Sequence, residues 1–143
     1  MTEDMFDRTE LLLGRESIER LGNSRVAVFG LGGVGGHCAE ALARSGIGTL
    51  DIIDNDTVDI TNLNRQIIAD ATTVGKAKTD VMKKRLLLIN PSIKINDHRM
   101  FYSRDTADLL DLNSLDYIAD AIDSVSSKIV LIEEAKKCGT PII

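Results

Sequence analysis

Apolar positions along the chain alternate between two periods. Val26, Ala27, Val28 and Phe29 form an unbroken apolar run, and residues 49–53 form another interrupted only by Asp51, as in strands covered on both faces. Between them, Val34, Cys38, Ala41, Leu42 and Ser45 recur at helical spacing, which predicts a helix over residues 33–45 that ends at Gly46 and Gly48. A helical segment over residues 9–21 precedes the first strand. After a polar loop, residues 76–89 predict a helix, with Thr72 and Thr73 as candidate caps and Asn90-Pro91 as the stop. A strand over 93–97, a helix over 103–112 and a strand over 117–121 follow. The next helix, over 126–137, carries Val125, Ile129 and Ile132 on one stripe and ends at Gly139. Pro141-Ile142-Ile143 begins a fifth strand.

Strands and helices in this alternation specify an α/β fold: a doubly wound, mainly parallel Rossmann-like sheet with helices on both faces and right-handed crossovers. Residues 1–24 form an N-terminal helical segment, and residues 25–143 form the sheet domain, cut after the start of its fifth strand. A chain that stops inside a strand reads as the first part of a longer protein. In such a sheet the first strand lies between the second and the fourth, and ligands bind at the carboxyl ends of these strands.

Composition narrows the function. With 143 residues, 43% hydrophobic and 27% charged, the chain is a single ordered domain. A net charge of −5 leaves no footprint for nonspecific nucleic-acid binding. Cys38 and Cys138 make neither a disulfide framework nor a zinc site; Cys38 reads as packing and Cys138 as inert. His37 and His98 have no partner at metal spacing. The acidic, polar N-terminus and the lack of long apolar runs predict a cytoplasmic protein with no membrane partner.

The candidate chemistry starts at Gly30-Leu31-Gly32-Gly33-Val34-Gly35, which joins the first strand to its helix, and at Asp54, which closes the second strand. Glycines there let backbone amides approach a phosphate, and the acid can accept hydrogen bonds from a ribose. Alone, that turn serves a dehydrogenase or a methyltransferase as well as an ATP enzyme. A dinucleotide needs little beyond the helix N-terminus, whereas a triphosphate calls for fixed cations and usually Mg²⁺. Arg65 and Lys78 can supply the cations and Asp123 the metal carboxylate, which favours ATP over NAD. Lys76, Lys83, Lys84 and Arg85 read most simply as a solvated helix face.

Six motifs then occur in order: the glycine run, Asp54-x-Asp56, Asn62-Leu63-Asn64-Arg65-Gln66, Val74-Gly75-Lys76-Ala77-Lys78, Ile89-Asn90-Pro91 and Asp120-Ala121-Ile122-Asp123. Together they resemble the ThiF/MoeB/HesA-like, ubiquitin-activating-enzyme superfamily of ATP-dependent adenylating enzymes. Residues 6–14 and 123–129 look most like the bacterial branch that activates a threonylcarbamoyl carboxylate on a modified adenosine of tRNA, which then cyclises with loss of water.

The resemblance implies a nucleotide-binding set of Gly30, Gly32, Gly33, Gly35, Asp54, Asp56, Asn62 and Gln66. It implies a catalytic set of Arg65, Lys78, Asp123 and Arg8, with Asp123 holding Mg²⁺ carried by ATP. Arg8 matches an arginine that reaches the neighbouring subunit's site in family dimers, so a homodimer is expected. The partner expected is tRNA. The alternative is a ubiquitin-like sulfur-carrier protein of a molybdopterin or thiamine pathway, activated at its C-terminal glycine. An NAD-binding oxidoreductase domain is the alternative outside the class.

Overall fold

The structure, a computed structural model, describes residues 4–143. Four strands, β1 (Arg25–Phe29), β2 (Thr49–Ile53), β3 (Lys94–His98) and β4 (Tyr117–Asp120), form one parallel sheet in the order β3-β2-β1-β4. β1 therefore lies between β2 and β4, and the switch point opens at its carboxyl end. The terminal residues run parallel to β4 on its outer side, joined by an isolated bridge between Ile118 and Ile142 rather than by a full fifth strand.

Helices cover both faces, as the alternation predicts. Val26, Val28, Leu50 and Ile52 pack against α3 (Gly35–Arg44) and α4 (Lys78–Ile89), where Ala39, Ala43, Met82 and Leu86 are fully buried. Ala27, Phe29, Ile53 and Ile118 on the opposite face meet Val130, Leu131 and Ala135 of α5 (Val125–Cys138). The expected N-terminal helix is two, α1 (Asp7–Leu13) and α2 (Arg15–Gly22), broken at Gly14, whose φ of 84° no other residue type adopts readily. Among the described residues no helix is long and apolar enough to cross a membrane.

Several boundaries differ from the sequence expectation. No α-helix forms over 103–112; two short 3₁₀ turns, Ala107–Leu109 and Leu112–Ser114, stand in its place. Thr106 Oγ1 donates to the Phe101 carbonyl at 2.7 Å and accepts from the Ser103 amide at 2.9 Å, giving the backbone a local alternative to the helix ladder. Thr72 and Thr73 do not cap α4 but bond around Asp70, and Lys78 is the first residue of the helix. The buried face of α3 is Gly35, Gly36, Ala39, Glu40 and Ala43, with Cys38 and Leu42 flanking it, so the face read from larger residues is rotated. Burial pushes the Cys38 thiol up, which suits packing and disfavours a reactive thiolate.

One charge lies inside the sheet layer. Asp51, 3% exposed, accepts from Arg25 Nε at 2.7 Å and Nη2 at 2.9 Å, from Asn96 Nδ2 at 3.2 Å, and meets His98 Nε2 at 2.9 Å. Burial opposes the charged form, but Arg25, His98 and Asn96 together outweigh it and hold the carboxyl at about 2. This cluster ties β1, β2 and β3 together beneath the ends that carry the site.

Candidate active site

At the carboxyl end of β1 the chain turns sharply. Gly30 has a φ of 89°, and a Cβ there would lie 2.5 Å from the Ala121 carbonyl oxygen, so the turn packs directly on the segment after β4. Asp54 fastens the turn from the other side: its Oδ2 accepts from the Leu31 amide at 2.7 Å and its Oδ1 from the Asp56 amide at 2.8 Å. Each oxygen keeps a further lone pair for a ribose hydroxyl. The following helix, α3, has no side-chain cap at its N-terminus; its Gly36 amide donates to the Gly32 carbonyl at 3.1 Å, and the Gly35 amide has no partner among the described residues.

A cleft of about 880 Å³ opens over this turn. It is lined by Gly30, Gly32, Gly33, Asp54, Asp56, Arg65, Gln66, Lys78 and Asp123 of the expected set. The loop after β2, the start of α4 and the segment after β4 thus meet at one place although they are far apart in sequence.

The cations are positioned differently. Lys78 is 6% exposed; its amide donates to the Asp56 carbonyl at 3.0 Å, and its Nζ stands 3.5 Å from Asp56 Oδ2, at the outer limit of a hydrogen bond. Arg65 is exposed and its Nη1 donates to the Thr61 carbonyl and to Asn64 Oδ1, which folds the guanidinium back over its own loop. The remaining guanidinium donors face no protein partner among the described residues. Gln66 is buried, and its Oε1 has no hydrogen-bond partner, so a ligand group or a water is needed to satisfy it.

Three members of the expected set do not line the cleft. Gly35 is needed for packing: a Cβ would lie 1.7 Å from the Gly30 carbonyl oxygen. Asn62 is buried and its Oδ1 accepts from the Asp59 amide at 2.9 Å, completing a capping box at the 3₁₀ turn Ile60–Asn62. Arg8 is exposed on α1, and no ion pair engages it among the described residues.

The structure adds residues that sequence reasoning passed over. Met100, Phe101 and Tyr102, just past β3, form an apolar wall of the cleft. Three large apolar residues beyond a strand end, where polar loop is the rule, were the available signal. Tyr102 packs edge-on to Phe29 with ring centroids 5.0 Å apart; burial, with nearby Glu134 and Cys138, raises its hydroxyl to about 12, so it stays neutral. Lys128 also lines the cleft, with its Nζ 2.9 Å from Asp120 Oδ2. Away from the cleft, Lys83 pairs with Asp97 and Arg85 with Glu40, consistent with a solvated, internally neutralised face on α4.

These features define a doubly wound α/β domain whose switch-point cleft combines a glycine turn with facing cations and carboxylates. The chain belongs to the ThiF family, which it matches over residues 6–143. It is 48% identical over 138 residues to the tRNA threonylcarbamoyladenosine dehydratase of Bacillus subtilis (strain 168), a match covering 96% of this chain and 54% of that protein. The adenylyltransferase and sulfurtransferase UBA4 of Kluyveromyces lactis is 34% identical, over 97% of this chain and 30% of its own length. Among solved structures, the Escherichia coli tRNA N6-threonylcarbamoyladenosine dehydratase in complex with ATP superimposes with a TM-score of 0.93 at 38% identity, covering 96% of this chain and 57% of that one. The chain spans about half the length of the dehydratases it resembles.

Proposed function

We propose that the cleft binds ATP and that the protein uses it to adenylate a carboxylate, namely the threonylcarbamoyl carboxylate of a modified adenosine in tRNA. The observation that carries this reading is the meeting of Arg65, Lys78 and Asp123 at one cleft beside the glycine turn. Similarity to dehydratases named for that tRNA base supports the choice of substrate.

In this reading the α3 N-terminus and the glycine-turn amides receive the phosphates, and Asp54 accepts from the ribose hydroxyls. The substrate carboxylate attacks the α-phosphorus; a carboxylate oxygen-phosphorus bond forms, the bond to the β-phosphate oxygen breaks, and pyrophosphate leaves. Lys78, held beside the path of that charge, and Arg65, swung from its loop toward the phosphate tail, stabilise the transition state electrostatically. Ring closure within the acyl-adenylate then expels AMP, so that the net change in the base is loss of water. No protein nucleophile is needed.

Mg²⁺ fits the donor set. No three His, Cys, Asp or Glu side chains converge on a metal among the described residues, while Asp123 is an exposed carboxylate at the cleft. One carboxylate together with phosphates and water is how Mg²⁺ is commonly held beside a nucleotide, and when bound it would neutralise phosphate charge. Arg8 would complete a second copy's site in a homodimer, in the cytoplasm.

Pyrophosphate exchange into ATP tests the proposal, with modified tRNA compared against a ubiquitin-like sulfur carrier. Exchange that depends on tRNA supports it. Exchange that depends only on the carrier shifts the substrate to the alternative that UBA4-like relatives suggest, and none with either overturns adenylation.

A further inference from the structure

Asp123 is the carboxylate on which the metal reading depends, yet among the described residues its side chain takes no hydrogen bond and it is exposed. Its position is therefore set by the backbone of the turn between β4 and α5. That turn is pinned at both ends. At the front, Asp120 Oδ1 accepts from the Ile122 amide at 3.0 Å, and the Ala121 amide donates to the Phe29 carbonyl at 2.8 Å. At the back, Ser124 caps α5 by accepting from the Ser127 amide at 3.4 Å.

Lys128, one turn into α5, joins the two ends. Its Nζ reaches back eight residues to donate to Asp120 Oδ2 at 2.9 Å, pairing a carboxylate whose side chain is 7% exposed. Without that cation the carboxylate would be buried and uncompensated, and would turn toward water, giving up the Ile122 amide. The same turn also forms the wall against which Gly30 packs.

We infer that Lys128 is a positioning residue: through Asp120 it fixes the turn at 121–124 and so presents Asp123 to the nucleotide and its metal. The inference rests on the adenylation reading for the role of Asp123, but its structural step does not.

Two readouts test it on the protein. In the ligand-free protein, hydrogen exchange at the Ile122 amide, which Asp120 Oδ1 holds, measures the turn directly. Lys128→Met, at a side chain that is 39% exposed, keeps the fold by circular dichroism and speeds that exchange about tenfold, while Lys128→Arg stays within about twofold of wild type. In ATP titrations, Lys128→Met raises the Mg²⁺ concentration for half-maximal binding about tenfold, a larger loss than it causes to ATP affinity in EDTA. Unchanged exchange in Lys128→Met overturns the inference, whatever happens to the melting temperature. An equal loss of affinity in EDTA overturns it in favour of direct phosphate contact. Wild-type ATP binding that ignores Mg²⁺ overturns the Asp123 reading instead, and is told apart because Lys128→Met then still loosens the turn.

Discussion

Asn62 and Arg65 stand three positions apart on one loop, yet only Arg65 lines the cleft; the Asn62 Oδ1 is taken up in a capping box. The family resemblance implied that both serve the nucleotide site, and only the three-dimensional loop separates a side chain that shapes the site from one that faces it. Asp51 makes a related point. It looked like an interruption in a strand, and it is the centre of a buried ion-pair cluster. Its carboxyl sits at about 2, below the ordinary 3.8, so the folded state is favoured above the ordinary value and that contribution disappears as pH falls through the lower one. Urea denaturation should show Asp51→Asn less stable than wild type at pH 7, on the order of 2 kcal/mol, with the gap closing as pH approaches the lower value. A gap of constant size across that range would contradict the assignment of the shift to Asp51.

At the scale of elements, β1 and β2 followed from apolar runs and the place of β1 between β2 and β4 from the alternation rule, while the faces of two helices did not. α3 packs through Gly35, Gly36, Ala39 and Ala43, small residues that carry little hydrophobic signal but let a helix approach the sheet closely. In α5, Val125, Ile129 and Ile132 are exposed, and the buried side is Ser127, Val130, Leu131 and Ala135. In α3 the residues nearest the sheet are small, and in α5 two apolar stripes compete, of which the one through Val130 and Leu131 is buried. The missing helix over 103–112 has a different cause, the competition of Thr106 for local backbone bonds. Gly35→Ala gives a test of sign. Helix propensity alone would stabilise α3 by about 1 kcal/mol, whereas a Cβ 1.7 Å from the Gly30 carbonyl oxygen requires the turn to shift. Chemical denaturation should show a net loss of about 1–3 kcal/mol, and a gain in stability would mean that the close approach is not present.

On the scale of the whole molecule, the sheet order brings Arg65, Lys78 and Asp123, each from a different segment, to one crevice. The six ordered motifs made that crevice legible in the sequence. The apolar wall of Met100, Phe101 and Tyr102 and the brace from Lys128 to Asp120 were not, because they depend on where β3 and α5 sit relative to the turn. Arg8 belongs to this scale too, since it lies outside its own cleft. If it acts in trans, Arg8→Ala and Lys78→Ala variants that are each inactive alone should regain up to about a quarter of wild-type turnover when mixed as dimers, as random pairing restores one intact site in half of the dimers. No recovery in dimers shown to exchange subunits would mean that Arg8 does not act on the partner's site. Equilibrium titration of the protein with Mg·ATP and, separately, NADH decides whether the cleft is a triphosphate site. Saturable ATP binding is expected, weakened at least about tenfold by Lys78→Ala with little change in melting temperature, with no comparable binding of NADH. Tight NADH binding with none for ATP would contradict that assignment.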